Sequence, residues 1–295
     1  MKVLQFLLLS AAAVVLSGCQ KQTGPETSGP DGKGPAITLE GRVAPDSKVS
    51  DTSFDNGDEI GLTVVGWSGE EPAALSDYRD EDNVRYVYED GLFSALSTAC
   101  YPNSEDKVTL WAYYPFTYGG GFVPGSDELH VRVLASQDNE GDFKASDYLV
   151  AEASGISPSD AAVPMEFRHI LAKVRLNVIL DGASEEKVSA VMPYVAASAV
   201  YDMTEGTLSS LADRCEIAMF PVSSLCVEAI IVPQTVKAGD YLFYITVGER
   251  TFTYAAAEDM VFAAGTINEF RALVSQDASV KSTVPVLSRS NTCIW

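Results

Sequence analysis

Apolar residues return at every second position through most of this chain, the signature of strands that bury one face. Ile37, Leu39 and Val43 open the pattern. Ile60, Leu62 and Val64 follow the turn signal Asn56-Gly57. Residues 84–88 alternate and run into Glu89-Asp90-Gly91. Residues 108–114 are rich in β-formers and stop at Pro115, which cannot donate to a ladder. Leu129, Val131 and Val133 alternate with His130 and Arg132, and residues 147–151 read as another short strand before a long turn or boundary at 155–160. The longest run is 167–180. There Ile170, Ala172, Val174, Leu176, Val178 and Leu180 form one apolar face, and Lys173, Arg175 and Asn177 form a polar one. Beyond Asp181-Gly182, strands are predicted at 216–220, 225–232, 241–247, 251–254 and 267–274. No segment holds a 3.6-residue period over three turns, which leaves room only for short helices near 184–190 or 255–260. The pattern predicts an all-β chain built as sandwiches.

The two ends differ from this body. Lys2 precedes an apolar run at 6–16 broken only by Ser10, shorter than the roughly 20 residues of a membrane-spanning helix and closing in small residues, as an export signal does. Leu16-Ser17-Gly18-Cys19 resembles the lipobox of bacterial lipoproteins. Small residues let a peptidase cut between Gly18 and Cys19, and the Cys19 thiol then carries the lipid. Residues 20–35 contain four Gly and three Pro and almost nothing apolar, so they form a tether with an r.m.s. reach of about 20 Å. No later stretch is long and apolar enough to span a bilayer, so the mature chain is expected to be held to the membrane by lipid.

The formal charge of −21 sets the surface against nucleic acid and anionic headgroups, and no nucleic-acid partner is expected. Cys100, Cys215, Cys226 and Cys293 remain besides Cys19. Export permits disulfides, and the sequence does not choose among their pairings. They read as free or buried thiols acting as small hydrophobes, with Cys215–Cys226 the bridge considered. There is no CxxC, and His130 and His169 are the only imidazoles, so zinc spacing is absent. Asp55, Asn56, Asp58 and Glu59 lack the spacing of an EF-hand loop and read as a solvated turn. Tyr118-Gly119-Gly120-Gly121-Phe122 has no following helix or Lys-Ser/Thr and is no phosphate loop. The sequence places no ionisable partner beside His169, which points to a packing or hydrogen-bonding role. With no GxSxG, HExxH or evident triad, neither catalysis nor a metal or cofactor is expected.

Five stretches carry a resemblance: Phe54-Asp55-Asn56-Gly57-Asp58-Glu59-Ile60-Gly61-Leu62, Ala112-Tyr113-Tyr114-Pro115-Phe116, Asp147-Tyr148-Leu149-Val150-Ala151, Phe167-Arg168-His169-Ile170-Leu171-Ala172-Lys173-Val174, and Ala264-Gly265 with Phe270. In this order after a lipobox, the chain from Ile37 to Ser275 resembles the fimbrillin family, lipoprotein subunits of type V pili in Bacteroidales-type bacteria. The resemblance implies two β-sandwich domains with transthyretin-like topology. The expected division is 1–18 signal peptide, 19–35 tether, 36–165 N-terminal domain, 166–275 C-terminal domain and 276–295 tail. It further implies a shaft, tip or anchor subunit on the outer membrane and cell surface, assembled with other fimbrial subunits by strand exchange. Ile37, Leu39 and Val43 would then lie in a removable strand. Arg42 and Lys48 would be candidate processing positions, and the tail, with Val280, Val284, Val286 and Leu287, a candidate donor. The chain has Lys48-Val49-Ser50 where many members have Thr-Arg-Ala, and its tail runs past the usual last strand. The competing reading is a lipoprotein adhesin or glycan-binding module on the same scaffold. Trp67, Trp111 and tyrosines would stack on sugars of host or bacterial surfaces.

Radiolabelled fatty acid fed to expressing cells is expected to enter the wild-type protein, while Cys19→Ala stays unlabelled and unprocessed. Equal labelling of the two would show that Cys19 is not the lipidated residue.

Overall fold

The computed structural model describes residues 33–44, 53–77, 81–95, 97–119, 121–181, 186–275 and 287–295. The first half supplies β1 (Leu39–Val43), β2 (Glu59–Ser68), β3 (Glu71–Pro72), β4 (Val84–Glu89), β5 (Leu92–Ser94), β6 (Val108–Tyr114), β7 (Glu128–Arg132), β8 (Leu149–Ile156) and β9 (Val163–His169). Seven of these join in the order β2-β4-β5-β1-β9-β8-β6, and β6 pairs back onto β2, so the ladder closes on itself. β3 folds onto the end of β2. β1 is parallel to β9 over five residues, from Leu39 opposite Val163 to Val43 opposite Phe167. β2 is buried on both faces: Ile60, Leu62 and Val64 enter the core inside the ring, and Val65 enters the second core.

The Asn56-Gly57 signal makes the turn it predicts. Gly57 has φ +97°, and the Asp58 N–H donates to the Asp55 carbonyl at 3.0 Å. The turn is tied to the β4–β5 connection by the Asp90 N–H, which donates to Asn56 Oδ1 at 3.0 Å. This anchoring points Phe54 into the ring. Its centroid lies 4.9 Å from Phe93, 5.0 Å from Phe167, 5.6 Å from Tyr88 and 5.7 Å from Tyr114. The edge-to-face contacts among these, with Phe93, Phe167 and Tyr114, add about 0.5–1.5 kcal/mol each beyond area burial.

The second half supplies β10 (Ala172–Asp181), β11 (Val188–Val195), β12 (Ser198–Asp202), β13 (Thr207–Ala212), β14 (Cys215–Ala218), β15 (Phe220–Ser223), β16 (Cys226–Ile231) and β17 (Gln234–Val236). They are followed by β18 (Tyr241–Val247), β19 (Arg250–Ala255), β20 (Met260–Phe262), β21 (Thr266–Ser275) and β22 (Leu287–Ile294). One sheet runs β15-β16-β10-β21-β22 and another β14-β11-β18-β19. They pack face to face, with Phe243 of β18 edge-on to Phe270 of β21 at 5.3 Å. Parallel β10 and β21 pair over ten residues at the centre of the first sheet. Arg175 stands in register between Glu228 and Glu269 and bonds both, so the one cation on that row meets two carboxylates.

Three expectations change. The run 167–180 is two strands, broken at Ile170-Leu171, where the chain leaves the ring for the second sheet. The polar face of that run is covered: Lys173 is fully buried, its ammonium 5.6 Å from the Phe143 ring, so the alternation concealed a second packed layer. Neither allowed helix forms among the described residues: 188–190 belong to β11, and 255 and 260 are the ends of β19 and β20 with a bend between them. The one helix among the described residues is α1 (Glu140–Ala145), capped by Asn139, whose side chain accepts from the Asp142 N–H. The stretch at 155–160 is the end of β8 and the start of its connection to β9 in the same ring.

The halves interlock. β7 leaves the first half to pair with β12 in a β13-β12-β7 sheet, and Ser136 bridges to Ala218. Gln137, wholly buried, donates to the Ile230 carbonyl at 2.8 Å and accepts from the Ile230 N–H at 2.9 Å. Its side chain thus replaces a missing neighbour strand for β16. Gln137→Ala leaves both groups of Ile230 buried without partners and is expected to cost about 2–4 kcal/mol, read as a lower urea midpoint. A wild-type midpoint would show that the bridge contributes nothing.

Candidate functional site

The slot that holds β1 is built from both neighbouring segments. On one side, the Ile37 N–H donates to the Ala99 carbonyl at 2.9 Å, and Leu39 stands opposite Phe93. On the other, the Val163 N–H donates to the Thr38 carbonyl at 2.9 Å, and the Ala44 N–H to the Phe167 carbonyl at 2.8 Å. From below, the Tyr86 hydroxyl donates to the Ile37 carbonyl at 2.9 Å, and burial pushes that phenol well above its ordinary pKa. Ile37, Leu39 and Val43 are buried and point inward, as their alternation requires. Gly41 shares that inward row, under the rings of Phe93 and Phe167.

Glu40 and Arg42 face outward. Arg42 is opposite Glu166 in the register and 3.5 Å from its carboxylate, a pair exposed enough to add little stability. Its backbone is part of the ladder, so the bond after it sits at the last inward turn of β1. Cys19 and Lys48 lie outside the described residues.

Beyond Val43 the slot opens into a cleft of about 430 Å³ between the ring, α1 and the second half, lined by Val43, Phe54, Tyr114, His169, Arg175 and Phe220. Burial, and then the nearby Asp58 carboxylate, push the Tyr114 phenol up. Lys144 spans the mouth, 2.6 Å from Asp55 and 2.9 Å from Glu140, and these hydrogen bonds raise its pKa. At the back, His169 Nδ1 is 2.9 Å from Asp147 Oδ1. His169 therefore has the ionisable partner that its sequence neighbours did not reveal. Asp147 lies 22 residues upstream, just before β8.

The tail closes this region. β22 pairs antiparallel with β21 as the outer strand of its sheet, from Leu287 opposite Ala272 to Ile294 opposite Thr266. Trp295 is buried, its backbone N–H donating to the Gly265 carbonyl at 2.8 Å. Its ring stacks on His169 at 3.9 Å and 12°, with the Lys173 ammonium 4.4 Å from its centre. A His–Asp pair so enclosed orients and packs: Trp295 covers one face of the imidazole, and the His169 side chain is only 3% exposed. Among the described residues, no group of three or more His, Cys, Asp or Glu is placed to hold a metal. Cys100, Cys215, Cys226 and Cys293 are free thiols, and burial pushes Cys215 and Cys226 up. Trp67 and Trp111 are half-buried, and the Trp67 indole N–H donates to Thr109 Oγ1 at 3.0 Å.

A family model described as fimbrillin-like matches residues 47–287. No curated relative matches the sequence. Among solved structures, a protein assigned to cell adhesion from Bacteroides ovatus superposes with a TM-score of 0.68 at 18% identity, over 89% of this chain and 98% of its own. Another so assigned, from Bacteroides uniformis, gives 0.61 at 20% identity, over 87% and 99%. A fimbrial protein from Bacteroides vulgatus gives 0.53 at 13% identity, over 88% and 99%. At these identities the likeness is one of fold.

Trp295→Ala removes the ring that covers His169 and Lys173 and should free β22 from its edge. Hydrogen exchange in 287–294 is expected to accelerate at least about tenfold while the ring strands β2 and β6 keep their protection. Trp295→Phe should retain most of it. Unchanged exchange in Trp295→Ala would show that backbone pairing alone holds the strand.

Proposed function

The chain belongs to the fimbrillin-like family, and from that premise we propose that it is a structural subunit of a cell-surface fimbria. In this reading the chain is exported as a lipoprotein through Cys19 and stands off the outer membrane on the 19–35 tether, whose last residues, Gly34 and Pro35, are bonded to Tyr101 of the body. It joins other fimbrial subunits by strand exchange at the β1 slot, with 36–165 and 166–275 as its two sandwich domains. The observation that carries the reading is the seat of β1. This strand completes a closed ladder, yet a single cut after Lys48 separates all of it from everything that follows, and a cut after Arg42 all of it but Val43. Its loss leaves unpaired backbone groups along β9 and at Ala99 beside an apolar trough. A strand from a neighbouring subunit satisfies both. The same cut detaches the lipid.

A second reading, a glycan-binding module on the same scaffold, is favoured by one surface. Tyr118 is 75% exposed and edge-on to Phe116 at 4.9 Å. The two rings line a cleft of about 680 Å³ together with His130, Arg132, Ser210 and Asp213. An exposed ring beside polar groups is the chemistry on which sugars stack and bond.

Treatment with a trypsin-like protease separates the readings. Mixed with the other fimbrial subunits, the wild type is expected to be cut and to enter ladders of oligomers, and Arg42→Ala/Lys48→Ala to stay monomeric. Wild type cut after Arg42 yet monomeric at high concentration beside those subunits would rule out exchange. Binding of the uncut monomer to an arrayed glycan, lost in Tyr118→Ala, would establish the second reading instead.

A further inference from the structure

The inward row of β1 is not uniformly apolar. Ile37, Leu39 and Val43 fill the trough with side chains, but Gly41 has none, and the space a side chain would need is already taken. A Cβ at Gly41 would lie 2.3 Å from Phe93 Cε2 and 2.7 Å from its Cδ2, inside any contact that real Cβ atoms make. A ring at the surface would swing aside. This one is fully buried, 4.9 Å from Phe54, 5.0 Å from Tyr88 and 6.0 Å from Phe167, so moving it displaces the whole aromatic core. The trough is therefore a keyed slot: two large apolar side chains, a gap, then a β-branched one.

The chain's own tail fails this key. Residues 276–295 contain no glycine. In the register that best matches the row, Val280 and Val284 take the places of Leu39 and Val43, and Ser282 falls at the gap with its Cβ against Phe93. Pro285 then falls at Ala44, whose N–H donates to the Phe167 carbonyl at 2.8 Å, and proline has none to give. The end of the tail is also committed within its own molecule, as β22 on β21 with Trp295 buried.

We propose that the β1 slot accepts only a strand with glycine at the Gly41 position, in the pattern apolar-x-apolar-x-Gly-x-β-branched, and that its donor is a different subunit rather than the tail of another copy of this chain. The proposal rests on the exchange reading and names the partner for that site. It makes the subunit one that receives a strand at the slot while its own last strand stays home.

The test uses the full-length protein nicked at a specific protease site inserted between Asp46 and Ser47, titrated with fluorescent peptides. One peptide carries residues 34–44, two carry Gly41→Ala or Gly41→Val, one carries residues 274–286, and one carries that tail with Ser282→Gly. The native peptide is expected to bind. Gly41→Ala should weaken it about tenfold, Gly41→Val about a hundredfold, and the tail should bind about tenfold more weakly than native or worse. Ser282→Gly should improve the tail. A nicked Phe93→Leu protein should bind the glycine and alanine peptides within about threefold of each other, because the smaller, more flexible side chain yields. If the native peptide binds and the alanine peptide matches it, the glycine key is wrong while exchange stands. If the tail matches the native peptide, the different-subunit donor is wrong. If no peptide enters the nicked protein, exchange itself fails.

Discussion

The N-terminal ring depends on β1 lying between β9 and the segment from Phe93 to Ala99. Without it the ladder is an open sheet with two raw edges, and the cluster of Phe54, Phe93 and Phe167 loses its floor. Backbone pairing and apolar burial are satisfied by the same five residues. Both losses therefore come together if the strand leaves, and both are repaired together if another takes its place. A short strand would ordinarily be a weak support. Here the Tyr86 hydroxyl, the β9 ladder and the Ala99 carbonyl hold it from three directions.

The second half is fastened to the ring by polar groups as much as by apolar ones. Gln137 supplies the amide that β16 lacks, β7 crosses over to β12, and α1 lays Phe143 against Phe220 at 5.0 Å. The tail adds the last layer. Trp295 covers His169 at the end of β9 and Lys173 at the start of β10, so the C-terminus sits over the point where the chain passes from one half to the other. A change at that terminus is thereby felt at the β9–β10 junction, close to where the β1 slot opens into the cleft.

The period-two pattern was legible because it is local. Each strand announces its buried face through its own side chains, and Asn56-Gly57 announces its turn through backbone freedom at φ +97°. The strands at 108–114 and 241–247 lie where their β-forming residues put them. The pattern fails where burial is two-sided. β2 hides Thr63 and Val65 as thoroughly as its apolar row, and Lys173 lies buried on a face that its sequence makes look wet. Strands β11 and β12 bury alternate residues, but Ala190 and Ala199 mark the inward row only faintly, and β13 is largely exposed. The helix α1 is too short to show a period, and only the Asn139 cap and the acidic first turn mark it.

The sequence by itself determined that the chain is β-rich, which residues of β1 face inward, and that the first residues read as an export and lipidation signal. Tertiary structure alone decided which strands are neighbours, that the ladder closes, that the run 167–180 breaks at Ile170-Leu171, and that Gly41 lies beneath Phe93. The reason is physical. Alternation says that a face is buried but not against what, and the answering groups stand far away in the chain. Gln137 meets Ile230 across 93 residues, and Arg175 meets Glu269 across 94. Contacts at that separation follow from how registers and core volumes are satisfied together, which no local window contains.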